Sequence, residues 1–566
     1  MVVSSRIRLL PGVIILALQM LIRFVVPIFA PEFAPMSFFG GLLGWLAIVI
    51  WWAFFSRAPR LERWGGAALM ILALAATPLI LHASIARAMY GLIFVMYATP
   101  ILSLAFVTAV VITQSLTEVP RRAVIAAFIV LSCGLWALLR SDGMTGGDGA
   151  VFAWRWTPTA EERFLSQADE TTPTGTLMSE STESGAHWPG FRGANRDGIV
   201  RGSQIETDWA ANPPIELWRR AVGPGWSSFA VKGDLIYTQE QRGDDEVVVC
   251  YDLTTGSQVW QHTDGTRFWE AIGGPGPRGT PTLHGSRVYS FGANGTLNAL
   301  NANDGTVIWS RDVADDAGVE IPMWGFSSSP LIVDDILIIA AAGTLAAYDL
   351  ETGKTRWVGT HGGGGYSSPH QATLSGVTQV VITSSSGVAG VSPTDGKQLW
   401  KYAWAGDGIV QPAFTPEGDI LMGSNAQAGR ISVRHTSGRW AVEEHWSSNR
   451  LKPYFNDFVV HNDHAYGFDG RHLACIDIAE GERQWKGGRY GSGQLILLAD
   501  QDLLLVTSEK GELALVSATP GGFKEVARVP AIEGKTWNHP VLVGDMLLIR
   551  NGEEMAAFRL SLVAGT

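Results

Sequence analysis

The sequence predicts an all-β propeller of eight four-stranded blades, preceded by an α-helical membrane domain of about five transmembrane helices. Three observations predict it. The composition is split, with long uninterrupted apolar runs over residues 1–140 and Gly-rich, Trp-rich, mixed polarity over residues 190–560. A turn signature, Gly four residues before Trp, recurs through the second part. Two strand patterns at the ends of the repeats lack partners until they are paired with each other.

The membrane domain is expected at 1–140. Apolar stretches near 9–30, 37–55, 66–83, 88–112 and 121–139 have roughly the length that crosses a bilayer, the third being the shortest. With the N-terminus inside, the inner segments carry Arg6, Arg8, Arg57, Arg60, Arg63, Arg121 and Arg122, and the outer ones only Arg87 and Arg140. Seven against two is the bias of the positive-inside rule. Five crossings then put the C-terminal part of the chain outside the cytoplasm, in a bacterial periplasm, with the helices in lipid of the inner membrane. Ala30-Pro31 is a poor cleavage site for a signal peptide, and four more apolar spans come after it. Arg23, inside the first run, reads as a snorkelling or helix-contact charge, with a quinone contact as the competing reading.

Residues 141–187 are rich in Ser, Thr, Gly, Glu and Asp and read as a largely flexible linker, interrupted by the aromatic piece VFAWRWTP. The whole chain carries formal charge −11, and residues 1–140 carry +7, which leaves −18 for the rest. An acidic domain excludes nucleic acid as the partner, because phosphate binding needs a basic surface. Three cysteines are too few for a disulfide framework, and Cys250 and Cys475 fall at matching positions of different repeats, so both read as buried thiols.

The propeller is expected at 188–566. Its turns are DLTTGSQVW (252–260), NANDGTVIW (301–309), DLETGKTRW (349–357), SPTDGKQLW (392–400) and DIAEGERQW (477–485). They give the repeat pairs Gly256 and Trp260, Gly305 and Trp309, Gly353 and Trp357, Gly396 and Trp400, Gly481 and Trp485. Weaker copies are RHTSGRWAVEEHW (434–446), with its Trp displaced, and SATPGGFKE (517–525), with none. Successive turn glycines lie 40–49 residues apart, the size of a propeller blade. Gly supplies the positive φ of a tight turn, a preceding Asp or Thr can bond the turn backbone, and the Trp leans across a neighbouring blade. ELWRR (216–220) is an outer strand without inner ones, and 541–560 are inner strands without an outer one. Pairing the two ends completes the eighth blade and removes an exposed edge.

The recurring D-x-x-T-G-x-x-x-W turn resembles the pyrroloquinoline-quinone (PQQ) repeat family over roughly 188–560, and WPGFRGANRDGIV (188–200) resembles the openings of uncharacterised members. The family holds quinoprotein alcohol and glucose dehydrogenases and a non-enzymatic lipoprotein of outer-membrane protein assembly. The resemblance therefore implies one of two functions. One is a membrane-anchored scaffold gripping a ligand or an envelope protein partner. The other is a PQQ-dependent membrane dehydrogenase, laid out like membrane glucose dehydrogenases, that oxidises an alcohol or sugar and passes electrons to ubiquinone.

If each blade runs from inner to outer strand, the turn glycines lie on one uniform face. The connections between blades and the middle hairpin loops lie on the other, where the sequences differ from blade to blade and a site is expected. Candidate ligand or cofactor residues on that varied face are Glu270, Arg278, Trp324, Lys452, Asn456, Arg489, Gln494, Trp537 and Asn538. Should the chain be an enzyme, Asp457 is the candidate catalytic base, and Glu270 and Asn456 the candidate ligands of a Ca²⁺ that polarises PQQ. Arg278, Lys452 and Arg489 would pair the cofactor carboxylates, and Trp324 or Trp537 would stack on its ring. The competing reading for polar residues at the starts of inner strands, such as Ser228, Thr280, Ser329, Ser368, His370 and Gln411, is that the propeller's axis needs polar walls.

Overall fold

A computed structural model describes residues 7–29, 33–146, 149–168, 187–360 and 362–563. The expected linker stretch 169–186, the Ala30-Pro31 site, Arg6 and His361 lie outside the described residues. The chain divides into two compact units. One is residues 1–157 with 270–274, and the other is residues 158–269 with 275–566.

Among the described residues of the first unit, four helices are long and apolar enough to cross a membrane. They are Leu9–Phe29 (α1), Met36–Phe55 (α2), Ala88–Ile112 (α4) and Glu118–Leu138 (α5). Hydropathy predicts about five. The remaining apolar stretch becomes Arg60–Ala76 (α3), a 17-residue helix whose first turn is given to Arg60, Glu62 and Arg63. The helix ends nevertheless sort into two sets. The N–H of Arg8, just before α1, bonds the carbonyl of Ser56, just after α2, at 2.9 Å. The buried Glu62 at the start of α3 is gripped by Arg121 (2.7 Å) and Arg122 (3.2 Å) at the start of α5. One end of the bundle thus gathers Arg8, Arg57, Arg60, Arg63, Arg121 and Arg122, and α3 runs parallel to α5. Arg23 in α1 is buried, its guanidinium 4.0 Å from the Phe38 ring and 5.1 Å from that of Tyr97. After α5 the chain forms a two-stranded hairpin, Leu139–Thr145 with Gly149–Trp154.

The second unit opens with a short helix, Ala160–Ala168 (α6), and is otherwise a propeller. Its eight blades, counted among the described residues, span 230–264, 282–312, 331–358, 370–402, 413–448, 459–487 and 494–530, with 541–559 and 215–221 sharing the last. We number them 1 to 8 in that order. Blade 8 closes as expected: Ile215–Ala221 pairs antiparallel with Glu554–Arg559.

The repeat signature has a physical explanation in three parts. In every blade the register between the third and fourth strands shifts by one residue, at Cys250/Tyr251 in blade 1 and Ala557/Phe558 in blade 8, for example. Such a bulge re-aims the side chain beside it. In blade 1 that side chain is Trp260, which lands on the next blade, with its Nε1–H donating to Ala302 O at 3.0 Å. The glycine of that next turn must then lack a side chain, since a Cβ on Gly305 would lie 2.5 Å from the Trp260 ring. The same seat joins Trp218 to Gly256, Trp309 to Gly353 and Trp357 to Gly396. The displaced Trp446 of blade 5 serves Gly481 in the same way. Blades 4 and 6 vary the theme. Trp400 donates to Gln379 of its own blade at 2.5 Å, and Trp485 still reaches Thr519 O, at 2.7 Å, without a glycine seat. Between the blades lie continuous apolar layers, such as Ile236, Val249, Leu548 and Leu505. Cys250 and Cys475 are buried in equivalent third strands of blades 1 and 6 and carry no disulfide.

Candidate functional site

The varied face is built by the inter-blade connections and the middle hairpin loops, because each blade runs from an innermost to an outermost strand. Four features organise it.

The first is a plug. His187-Trp188 pairs antiparallel with Lys232 and Val231 on the innermost strand of blade 1. Ile199-Val200 pairs parallel with Leu497 and Leu498 on the innermost strand of blade 7. The segment between them therefore enters the central channel from the uniform face, turns inside it and leaves the same way. Its tip holds Arg192 and Arg196, both at positive φ (59° and 56°) and both buried. Arg192 donates to Phe458 O of blade 6 at 2.8 Å. Arg196 donates to Ser329 O (3.0 Å) and Pro330 O (2.8 Å), at the start of blade 3. The hairpin thus ties well-separated blades across the axis.

The second feature is a belt of hydrogen bonds from blade to blade. Ser228 N–H donates to Thr280 Oγ1 (3.0 Å), Thr280 N–H to Ser329 Oγ (2.9 Å) and Ser329 N–H to Ser368 Oγ (2.9 Å). The Gln411 amide exchanges two bonds of 2.8 Å with the Ser368 backbone. Gln411 N–H donates to Asp457 Oδ1 at 2.8 Å, and the Asn456 amide donates to Gly493 O. Gln494 Nε2 reaches Trp537 O (3.0 Å), and Asn538 Nδ2 reaches Ser227 O (2.7 Å). The polar residues at the inner-strand starts thus satisfy buried backbone groups of the neighbouring blade, which burial demands.

The third feature is the Asp457 cluster. The carboxylate lies 3.7 Å from Arg192 Nε and 3.3 Å from His539 Nε2. Burial alone would raise its pKa, but Arg192, His539 and the Gln411 N–H together hold it below the usual carboxylate value. Asp457 is therefore held ionised, hydrogen-bonded to the Gln411 N–H and flanked by Arg192 and His539. His370, on the innermost strand of blade 4, is pushed down to about 3 by burial and then by Arg196 and Arg192, so its ring is neutral.

The fourth feature is an unbroken run of aromatic rings. Trp226 meets Trp537 at 4.9 Å between centroids, Trp537 meets Phe455 at 4.9 Å, and Phe455 meets Tyr454 at 5.5 Å. Tyr454 meets Trp324 at 6.3 Å, and Trp324 meets Tyr366 at 5.0 Å. These six residues sit on five different inter-blade connections. The Tyr454–Trp324 contact joins the connection between blades 5 and 6 to that between blades 2 and 3, so the run crosses the mouth of the channel. Lys535 Nζ lies 4.3 Å from the Trp537 ring and 5.0 Å from that of Trp226. Trp537 also donates Nε1–H to Glu509 at 2.9 Å.

Among the residues expected at a site, Trp324, Trp537, Asn456, Asp457, Gln494 and Asn538 come together at this throat. Arg278 sits beside them, donating Nε–H to Trp324 O at 3.2 Å with its guanidinium 4.9 Å from the Phe268 ring. Lys452 is drawn to the buried Asp469 (3.5 Å), which Arg483 and Lys486 also grip. Arg489 is exposed. Glu270 accepts N–H bonds from Ile272 and Gly273 in its own loop, and that loop groups with the helical unit. Tested as a Ca²⁺–PQQ centre, the throat offers aromatic surface and cations. Of the candidate oxygen donors, Glu270 caps its own loop, Asp457 faces Arg192, and Asn456 donates its amide N–H to Gly493 O. Among the described residues no group of three or more His, Cys, Asp or Glu is placed to hold a metal. Residue type and face alone did not single out Arg192, Arg196, His539, Trp226, Lys535 or Tyr366. The available signal was WPGFRGANRDGIV, two arginines in a glycine-rich segment just ahead of the first blade.

Comparison with known proteins agrees with this architecture. The profile of the family described as outer membrane protein assembly factor BamB matches residues 244–525. Outer membrane protein assembly factor BamB of Shewanella oneidensis is 24% identical over 368 residues, covering 60% of this chain and 86% of that protein. Quinohemoprotein alcohol dehydrogenase ADH IIB of Pseudomonas putida is 25% identical over 188 residues, 31% of this chain but only 24% of that enzyme. The crystal structure of quinohemoprotein alcohol dehydrogenase from Comamonas testosteroni superposes with a TM-score of 0.50 at 12% identity, over 72% of this chain and 84% of that one, which shows a shared fold. With eight bulged, Trp-seated blades and these relatives, the C-terminal domain belongs to the PQQ-repeat, quinoprotein dehydrogenase-like β-propellers, and the chain as a whole is a membrane-associated envelope protein.

Proposed function

We propose that the protein is an inner-membrane-anchored scaffold whose propeller, in the periplasm, binds an envelope protein through the varied face. The observation that carries this is the aromatic run across the channel mouth. It has partly exposed rings (Tyr454 is 36% exposed), with Ile321 and Met323 exposed beside Trp324. Amphipathic rings with a few polar partners are what a protein interface concentrates. The channel below is occupied by the protein's own plug, so the surface suits contact with a chain better than entry of a substrate. The BamB relatives support the same class of activity. For orientation, the end of the helical bundle that gathers six arginines is taken as the cytoplasmic end by the positive-inside rule, and counting the shorter α3 with the four long helices makes five traverses, which would leave the propeller outside.

A photo-crosslinking residue at Tyr454 or Met323, in cells, should give one discrete adduct that is lost on Trp324→Ser. The same residue placed at Thr394, on the uniform face, should give none. A C-terminal alkaline phosphatase fusion should be active. A PQQ-dependent dehydrogenase is the second reading, favoured by the rings and Lys535 and by the dehydrogenase relative. Incubation of the full chain with PQQ and Ca²⁺ decides against the scaffold if quinone absorbance co-elutes and alcohols or sugars reduce a dye, with no adduct in cells.

A further inference from the structure

We propose that the propeller throat binds one small carboxylate against the free edge of the Arg196 guanidinium and Nδ1 of His370. This inference stands apart from the partner-binding reading, because it concerns the charge balance inside the channel.

The plug brings two guanidinium groups, Arg192 and Arg196, into a buried space with one carboxylate, Asp457. That carboxylate is already shared between Arg192, His539 and the Gln411 N–H. Arg196 has no carboxylate of its own, only carbonyls and the Phe191 ring, whose centroid lies 5.8 Å from its guanidinium carbon. It donates one N–H from each terminal nitrogen, to Pro330 O at 2.8 Å and Ser329 O at 3.0 Å. Its Nε–H has no partner among the described residues, although the residue is only 8% exposed. Nε and one terminal nitrogen form the edge by which arginine takes a carboxylate in paired hydrogen bonds. A buried cation without a counter-ion is costly, and burial, with Arg192 nearby, pulls the Arg196 pKa down to about 9.

A second unpartnered group points to the same ligand. His370 is 7% exposed, and its Nδ1 has no partner among the described residues. His370 lies two residues after Ser368, whose Oγ accepts from the N–H of Ser329, and the carbonyl of that same Ser329 accepts from Arg196, so the ring and the guanidinium flank one strand start. As a neutral imidazole it donates one N–H, and an anion beside Arg196 would fix that proton on Nδ1. His435, His445, His461 and His464 belong to other clusters, on the outer strands or at the uniform-face turns. One bound carboxylate would balance two cations with two anions.

The test uses the full chain in detergent micelles and sodium formate as the probe, with sodium methanesulfonate holding ionic strength. Thermal unfolding should shift upward and saturate with formate, as linkage requires of a ligand that binds the folded state. Arg196→Met should raise the half-saturating concentration by about tenfold or more, roughly the loss of one charged contact. Lys397→Gln, a surface change on the uniform face, should leave it alone. A shift that never saturates, or that is equal in wild type and Arg196→Met, overturns the proposal. If Arg196→Met does not fold, crystals of the wild-type chain soaked in bromide decide the matter. An anomalous peak beside Arg196 Nε and His370 Nδ1 supports the site, and an ordered water there with no bromide overturns it.

Discussion

Replacing Gly305 by alanine separates two reasons for the glycine in the repeat turn. Gly305 sits at φ +73°, and a Cβ there would meet Trp260 Cε3 at 2.5 Å and Cδ2 and Cζ3 at 2.9 Å. Gly544, in the first hairpin of blade 8, has φ +61° and nothing within 4 Å of its would-be Cβ. Alanine at either position pays about 1–2 kcal/mol for the left-handed backbone. That is offset by roughly 0.4–1 kcal/mol of lost freedom in the unfolded chain. Gly544→Ala should therefore destabilise by about 1 kcal/mol. Gly305→Ala must also push the indole aside, which adds about 1–3 kcal/mol of overpacking. The displaced ring puts its 3.0 Å hydrogen bond to Ala302 O at risk, worth about 0.5–1.5 kcal/mol more. The expected total is about 3–5 kcal/mol. At about 2.1 cal/mol/K per residue, 1 kcal/mol moves the melting temperature of a unit this size by roughly 1–2 °C. Thermal unfolding followed by tryptophan fluorescence should show a loss of roughly 3–8 °C for Gly305→Ala and roughly 1–2 °C for Gly544→Ala. Equal losses would refute the argument that the neighbouring indole, beyond the φ angle, is why the residue is glycine.

Two further outcomes are expected. Asp457→Asn leaves Arg192 without its carboxylate and should destabilise by about 3–5 kcal/mol in denaturant unfolding, and adding Arg192→Met should recover part of that loss. Glu246, buried in the middle hairpin of blade 1, has its pKa raised to about 8 by burial, against the opposing Ala293 N–H and Arg278. A carboxyl with a raised folded-state pKa binds its proton more tightly when folded. Its contribution is therefore full below the unfolded value near 4.5 and is lost as pH climbs through about 8. Glu246→Gln, which keeps an acceptor for Ala293, should melt higher than wild type at pH 8.5 and lose that advantage at pH 5.

The blades were legible because their signals are local and repeated. A glycine four residues before a tryptophan reports a turn whose geometry barely depends on the rest of the chain. Blade closure was legible for a related reason: a strand with Trp218 but no inner neighbours has one place to go. The throat was harder to read. Ser228, Thr280 and Ser329 read in sequence as polar walls of the axis, yet they bond the adjacent blade, through partners some 40–50 residues away that no local pattern names. The helix count fell short of five for a similar reason. Hydropathy over 66–83 does not reveal that α3 begins at Arg60 and gives its first turn to the Glu62–Arg121 pair. The plug arginines escaped because their role is set by the channel they enter, and a fourteen-residue segment carries no record of its container.

The closing strand also dictates an order of events. Strand Ile215–Ala221 and the plug both precede blade 1 in the chain, while the strand that pairs with Ile215–Ala221 is Glu554–Arg559. Ribosomal synthesis therefore exposes the plug and one outer edge long before their last partners exist. Blades 1 to 7 can form from neighbouring residues as they emerge, but the ring itself must wait for a contact more than 330 residues long. Contacts of such separation are slow to form and leave open sheet edges in the meantime. The hairpin that crosses the axis pairs early with blade 1 and late with blade 7. Ring closure is thus the step at which this protein commits to its fold, and until then it is an open arc in need of protection.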